Sequence, residues 1–77
     1  MSVWELAYSL NKLAGTKNFD APGAANVWAG TKNFDLIGAL NHKAGTTNLG
    51  FNHVCNVLAS TTNMEGQRAL SILAGGS

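Results

Sequence analysis

The stretch Trp28-Ala-Gly-Thr-Lys-Asn-Phe-Asp35 occurs four times in related forms, and its spacing decides the fold. The related segments begin at Leu13, Lys43 and Leu58, so the repeat length is 15 residues throughout, without a gap. Such a short internal period indicates that one structural unit packs against copies of itself. We therefore predict one repeat domain over residues 1–77, with full repeats at 13–27, 28–42, 43–57 and 58–72 and a partial unit at each end.

Each repeat carries signals for the two ends of a helix. With Leu13 and its equivalents as repeat position 1, position 8 holds every acidic residue of the chain, Glu5, Asp20, Asp35 and Glu65. Acidic side chains at a helix N-terminus accept free backbone N–H groups and complement the helix dipole. Glycine after alanine, as at Gly30 and Gly45, is typical of the left-handed residue that ends a helix.

The residues between these signals have helical periodicity. In the third unit, Leu36, Ala39, Leu40 and Lys43 follow i, i+3, i+4, i+7 spacing. Pro22 is compatible only with the first turn of its helix. We predict an all-α fold of about five short helices, one per repeat, packed as a small solenoid or a compact bundle, with approximate helical ranges of 3–14, 20–29, 35–44, 50–59 and 65–74.

Asparagine recurs late in the predicted helices, at Asn26, Asn41 and Asn56. Because asparagine is a poor residue for a helix interior, its recurrence needs a cause. We favour a structural role, in which each side chain bonds the backbone of the adjacent turn. A polar stripe presented to a partner is the alternative.

No group of residues indicates catalysis. His42, His53 and Cys55 are the candidates for a soft metal site or a Cys/His pair, but their spacing is a weak match to zinc sites. We interpret His42 as a helix-end residue, His53 as a surface residue and Cys55 as a small buried hydrophobe. We therefore expect no enzyme activity, no metal and no cofactor.

Composition argues against several classes of partner. The net charge is +1 and the five basic residues are scattered, so we expect no nucleic-acid binding. No apolar run approaches the roughly 18 residues of a membrane span, and we expect no membrane association. The start of the chain does not resemble a secretory signal.

Exposed apolar residues would instead make protein contacts. Recurrence predicts that Trp4, Phe19, Trp28 and Phe34 are mostly core or helix-staple residues. The alternative for Trp28 is an interface anchor at an exposed end. The chain ends lack a polar capping repeat, which solenoids need for solubility. The candidate interface residues are Val3, Trp4, Trp28, Ile72 and Leu73.

A β-solenoid is the rival fold. Thr16 and its equivalents recur every 15 residues, and a flat array of threonines would resemble ice-binding β-helices. The alternative function is therefore an ice- or carbohydrate-binding module that uses the Thr/Asn array. Positions 9–16 lack the alternation of a strand, which favours helices.

The repeat, as in Ala29–Asn41, resembles short Ala-Gly-Thr repeats in small virion proteins of tailed bacteriophages. The resemblance extends from Lys12 to Ser77 and implies a structural role, as a minor tail, capsid-decoration or accessory protein. It implies no site residues. The expected partners are other virion proteins or copies of the chain itself, in particles assembled in the cytoplasm of a bacterial host.

Overall fold

The computed structural model describes the backbone of residues 3–75 and the side chains of residues 6–75. It contains five helices and, within that range, no strand: α1 (Val3–Ala14), α2 (Ala21–Ala29), α3 (Leu36–Ala44), α4 (Phe51–Ala59) and α5 (Gly66–Leu73). The all-α prediction with one helix per repeat is confirmed. The absence of a strand over this range disfavours the β-solenoid.

Each of α1 to α4 ends in a left-handed residue followed by a threonine whose N–H bonds back to the helix. After α2, Gly30 adopts a left-handed conformation with φ 75°, its N–H donates to Val27 O, and Thr31 N donates to Asn26 O at 2.9 Å. This pair of bonds is the Schellman motif, and the positive φ is the reason for glycine. Ser60 takes the same conformation after α4 with φ 61°, so the turn accommodates a serine there.

The helices form a closed ring. Each helix packs on the next one along the chain, and α1 also packs on α5. The extents are 28 × 27 × 18 Å, which describes a disc. The chain is therefore a compact closed bundle, and its two terminal helices cover each other.

This closure corrects the argument that the terminal repeats are uncovered. α1 lies against α5, and Ser9 Oγ lies 3.5 Å from Ser71 Oγ across their junction. The expectation that exposed ends must dock on another molecule treated the repeats as an open array. Curvature of the repeat brings α1 against α5, and periodicity alone does not report curvature.

The core lies on the inner side of the ring and comes from two repeat positions. Position 13 is fully buried in every helix, with residues Leu10, Ala25, Leu40, Cys55 and Leu70. Position 12 is equally enclosed, with residues Ser9, Ala24, Ala39, Val54 and Ala69. Small residues alternate with leucines at position 13, which lets five side chains share a narrow space.

Candidate interaction surface

The asparagines late in the helices hold the turns in place. Asn26 Nδ2 donates to Phe34 O at 2.9 Å, while Phe34 N donates to Asn26 Oδ1 at 3.1 Å. The same side chain donates to Pro22 O at 2.7 Å and accepts from Thr31 Oγ1 at 2.8 Å. All four hydrogen-bonding positions of the amide are thus occupied.

The pattern recurs in the other units and confirms the structural interpretation of this column. Asn41 bonds Leu49 through both its amide atoms, and Asn56 bonds Met64 in the same way. Asn11 does so with Phe19. Because these amides and the partner threonine hydroxyl protons are used within the chain, they offer little to a carbohydrate or an ice surface.

The acidic column caps helices in two of the repeats. Asp20 accepts a hydrogen bond from Gly23 N at 2.8 Å, and Asp35 accepts one from Gly38 N at 2.7 Å. Glu65 occupies the equivalent position before α5 but makes no capping bond with its side chain. The residues preferred at an N-cap are Ser, Thr, Asp and Asn, and glutamate is not among them.

Asn52 satisfies another free N–H group at the start of α5 and was not identified from the sequence. Its Oδ1, on α4, accepts a hydrogen bond from Gly66 N at the start of α5 at 2.7 Å. Gly66 is fitted closely against α4, because a Cβ there would overlap the Phe51 ring. The departure of Glu65 from aspartate was the available signal that α5 begins differently.

Phe19 and Phe34 lie on the surface, so of the two roles expected for them, core residue or helix staple, the contacts agree with the second. They remain 45% and 43% exposed. A Cβ on Gly23 would lie 3.3 Å from Phe19 Cδ2, and one on Gly38 would lie 3.6 Å from Phe34 Cδ2. Each ring therefore lies across a glycine in the first turn of the next helix, in the manner of a helix staple.

Among the described residues, three of the seven large apolar side chains that are exposed share one repeat position. Position 15 is exposed in all five units and holds Lys12, Val27, His42, Val57 and Ile72. The three aliphatic members are each at least 40% exposed. The presence of lysine and histidine among them was the sequence signal that this position faces outward.

The candidate interface residues differ in exposure. Ile72 is exposed, whereas Leu73 is half-buried and packs against the core. Trp28 is also half-buried, and Lys43 Nζ lies 5.2 Å from the centre of its ring. The side chains of Val3 and Trp4 lie outside the described residues.

The three residues considered for chemistry are not brought together as a site. His42 and His53 are exposed, and the His42 ring contacts Phe34 edge-on at 5.7 Å. Cys55 is fully buried, and this burial raises the pKa of its thiol to about 12. Among the described residues, no cluster of histidine, cysteine or acidic side chains could hold a metal ion.

Two grooves occupy equivalent places on the ring. One lies between α1 and its following turn and is lined by Tyr8, Lys12, Lys17 and Phe19, among others. The second lies between α4 and its following turn, where His53, Val57, Thr62 and Met64 hold the same repeat positions. The backbone frame is shared, whereas tyrosine, phenylalanine and lysine side chains line the first groove only.

Comparisons with known proteins identify no relative. No family model, curated protein or solved structure matches the chain. None of the helices over residues 3–75 has the length and apolar character needed to cross a membrane.

Proposed function

We propose that this protein is a non-enzymatic structural or adaptor component of a multi-copy assembly and acts through protein–protein contacts. The assembly we propose is a bacteriophage virion, formed in the bacterial cytoplasm, with the chain as a minor tail, decoration or accessory protein. The support for a virion is the Ala-Gly-Thr repeat, as in Ala29–Asn41.

The observation that carries the proposal is the contrast between the polar and apolar repeat positions. The amides of the asparagine column late in the helices are fully engaged inside the chain, as for Asn26 and Asn41. Aliphatic side chains at Val27, Val57 and Ile72 are left exposed at a repeated position on the ring. Exposed apolar side chains at the edge of a rigid frame suit recognition of another protein surface.

Self-association provides a direct test of the multi-copy role. We expect sedimentation velocity to show reversible, concentration-dependent association of the purified chain. Replacing Val27, Val57 and Ile72 together with lysine should reduce this association and leave the helical circular dichroism spectrum unchanged, because position 15 already accommodates lysine at Lys12. Lys12→Val is the matched control and should not weaken association.

The result that would contradict the proposal is equally specific. A monomer at all concentrations, with a sharp melting transition independent of concentration, would count against a multi-copy role. The virion is tested separately, by mass spectrometry of purified particles from a phage that encodes the chain. Absence of the chain from such particles would remove the virion and leave the question of assembly to sedimentation.

A further inference from the structure

The groove beside α1 differs from the equivalent groove beside α4 in the side chains that line it. Tyr8 is 63% exposed and Phe19 is 45% exposed, so two aromatic rings line a depression of about 520 Å³. Exposed tyrosine and phenylalanine are costly in water and are enriched where proteins bind peptides. A depression of this size is within the range of sites that hold a few side chains.

The charge of this groove is positive. Lys12, on the last turn of α1, and Lys17, in the following turn, both line it and are both exposed. The matching positions of the α4 groove hold Val57 and Thr62, which are neutral. The difference lies in side chains alone, because the two grooves share the same repeat positions.

The side-chain amide of Asn11, at the floor of the groove, already has hydrogen-bond partners within the chain. Asn11 donates to Ala7 O and Phe19 O, and accepts from Thr16 Oγ1 and Phe19 N. An occupant therefore gains little from hydrogen bonds to this amide. Besides the exposed amide of Asn18, the free features are the two aromatic faces and the two ammonium groups, which favour an occupant with an aromatic or aliphatic side chain next to carboxylates.

The Phe19 wall is held from behind. Its ring lies against Gly23 on α2, and the main chain of Phe19 is bonded at both its N–H and its C=O by Asn11. A wall whose backbone is fixed in this way loses less conformational entropy when an occupant binds. The groove is thus preformed on one side.

We propose that the groove formed by Tyr8, Lys12, Lys17 and Phe19 binds an acidic segment of a partner protein, with an apolar or aromatic side chain of that segment between the two rings. This inference rests on the proposed function, because it assigns one of the protein contacts to a defined surface. Charge complementarity and the contrast with the α4 groove support a partner of this chemistry.

The probe is a soluble random copolymer of glutamate and tyrosine, and the measurement is amide NMR of the ¹⁵N-labelled full chain. We expect shift changes at Tyr8, Lys12, Lys17 and Phe19 that saturate with copolymer concentration and shrink at high salt. His53, Val57, Thr62 and Met64 serve as internal reference positions and should move much less. A lysine–tyrosine copolymer of similar length should produce no comparable change.

Variants test the contributions of the lysines and of the tyrosine separately. Lys12→Glu with Lys17→Glu should weaken copolymer binding at least tenfold, and Tyr8→Ser should weaken it severalfold. The matched control, Val57→Glu with Thr62→Glu, adds the same negative groups to the α4 groove and should leave binding within twofold of wild type. Retained helical spectra show that each variant is folded.

Three outcomes would overturn the proposal: no saturable shifts, shifts of equal size in both grooves, or unchanged binding by Lys12→Glu with Lys17→Glu. Concentration-dependent shifts at these four residues without copolymer would assign the groove to a second copy and would also overturn it. Sedimentation of the unliganded chain reports the multi-copy role independently, so failure of one idea is distinguishable from failure of the other.

Discussion

Single asparagine side chains determine the shape of the turns between helices. In the unit of Asn41, one amide bonds the C=O of Ile37, both main-chain groups of Leu49 and the hydroxyl of Thr46. A primary amide carries the N–H and C=O of a backbone peptide plus a second N–H, so it pairs with the Leu49 backbone as a strand neighbour would and still donates to Ile37 O. The helix and the next turn are thereby held in one geometry.

Removal of this side chain should be costly. We expect Asn41→Ala to lower the free energy of unfolding by about 2–4 kcal/mol, because four hydrogen bonds are lost and partly buried backbone groups lose their partners. Urea denaturation followed by circular dichroism measures the change. Asn48→Ala is the comparison, since Asn48 is exposed in the adjacent turn and its effect should come only from its positive φ of 60°. Equal effects of the two substitutions would contradict the role assigned to Asn41.

Burial of the single residue Cys55 should make the free energy of unfolding depend on pH. The folded thiol has a pKa of about 12, raised by burial from its ordinary value of 9.0. Above pH 9 the unfolded chain loses this proton while the folded chain retains it, so the free energy of unfolding should fall as the pH rises from 9 towards 12. Below pH 9 this thiol adds no pH dependence.

The measurement uses urea titrations at pH 8 and pH 10.5, with Cys55→Ala as the reference for all other groups. The wild type should lose more stability between the two pH values than the variant does. The folded thiol should also resist a disulfide reagent at pH 8 and react once urea unfolds the chain. Rapid reaction in the native protein would show that Cys55 is accessible.

At the level of the helices, different repeats cap the N-terminus of their helix in different ways. The N-terminus of α3 is capped by its own Asp35, whereas that of α5 is capped by Asn52 from the preceding helix. The second arrangement ties the start of α5 to α4 directly. It also places Gly66 against the Phe51 ring, where no side chain fits.

These two modes of capping predict unequal effects of similar substitutions. Asp35→Ala should destabilise the chain by about 1 kcal/mol, the usual value for loss of an N-cap. Glu65→Ala should have an effect near zero, because its side chain does not cap. Asn52→Ala should match Asp35→Ala. Thermal melts at one protein concentration compare the three, and a large loss for Glu65→Ala would show that its carboxylate caps α5 in solution.

For the whole molecule, closure of the ring distinguishes this chain from an open repeat array. In an open array each unit contacts only its neighbours, and the loss of an end unit lowers stability by roughly one unit's share. Here α5 contacts both α4 and α1, and Leu70 contributes to the buried centre. Removing α5 would uncover that centre and the flank of α1 together.

An open array that lost one of five units would lose about a fifth of its stability. We expect a chain truncated after Asn63 to lose cooperative folding altogether. The residues left behind would expose Leu10 and Leu40, which are fully buried in the intact ring. Far-UV circular dichroism and urea denaturation of the truncated chain check this. A truncated chain that still unfolds in a sharp transition would show that the ring behaves as an open array.

A crosslink between α1 and α5, the two helices that close the ring, should stabilise the chain. A disulfide formed by Ser9→Cys with Ser71→Cys, in a Cys55→Ala background, would join the two helices where the serine Oγ atoms are 3.5 Å apart. A crosslink that closes a loop of this length stabilises a chain by about 2–4 kcal/mol in typical cases. We expect a higher melting temperature for the oxidised than for the reduced form. Failure of the two cysteines to form the disulfide in the folded chain would indicate that α1 and α5 do not meet as described.

The sequence by itself determined the repeat, the helical state of each unit, the N-cap role of Asp20 and Asp35, and the bracing role of Asn26, Asn41 and Asn56. These features depend on neighbours within about eight residues along the chain, as in the bond from Asn26 to Phe34, so local pattern reports them. Only the tertiary structure decided that the ring closes, that Phe19 and Phe34 remain exposed, and that Asn52 caps α5. Those outcomes depend on the angle between successive helices and on contacts between units. Because the angle is repeated at every unit, a small difference in it decides whether five helices form an open coil or a closed ring.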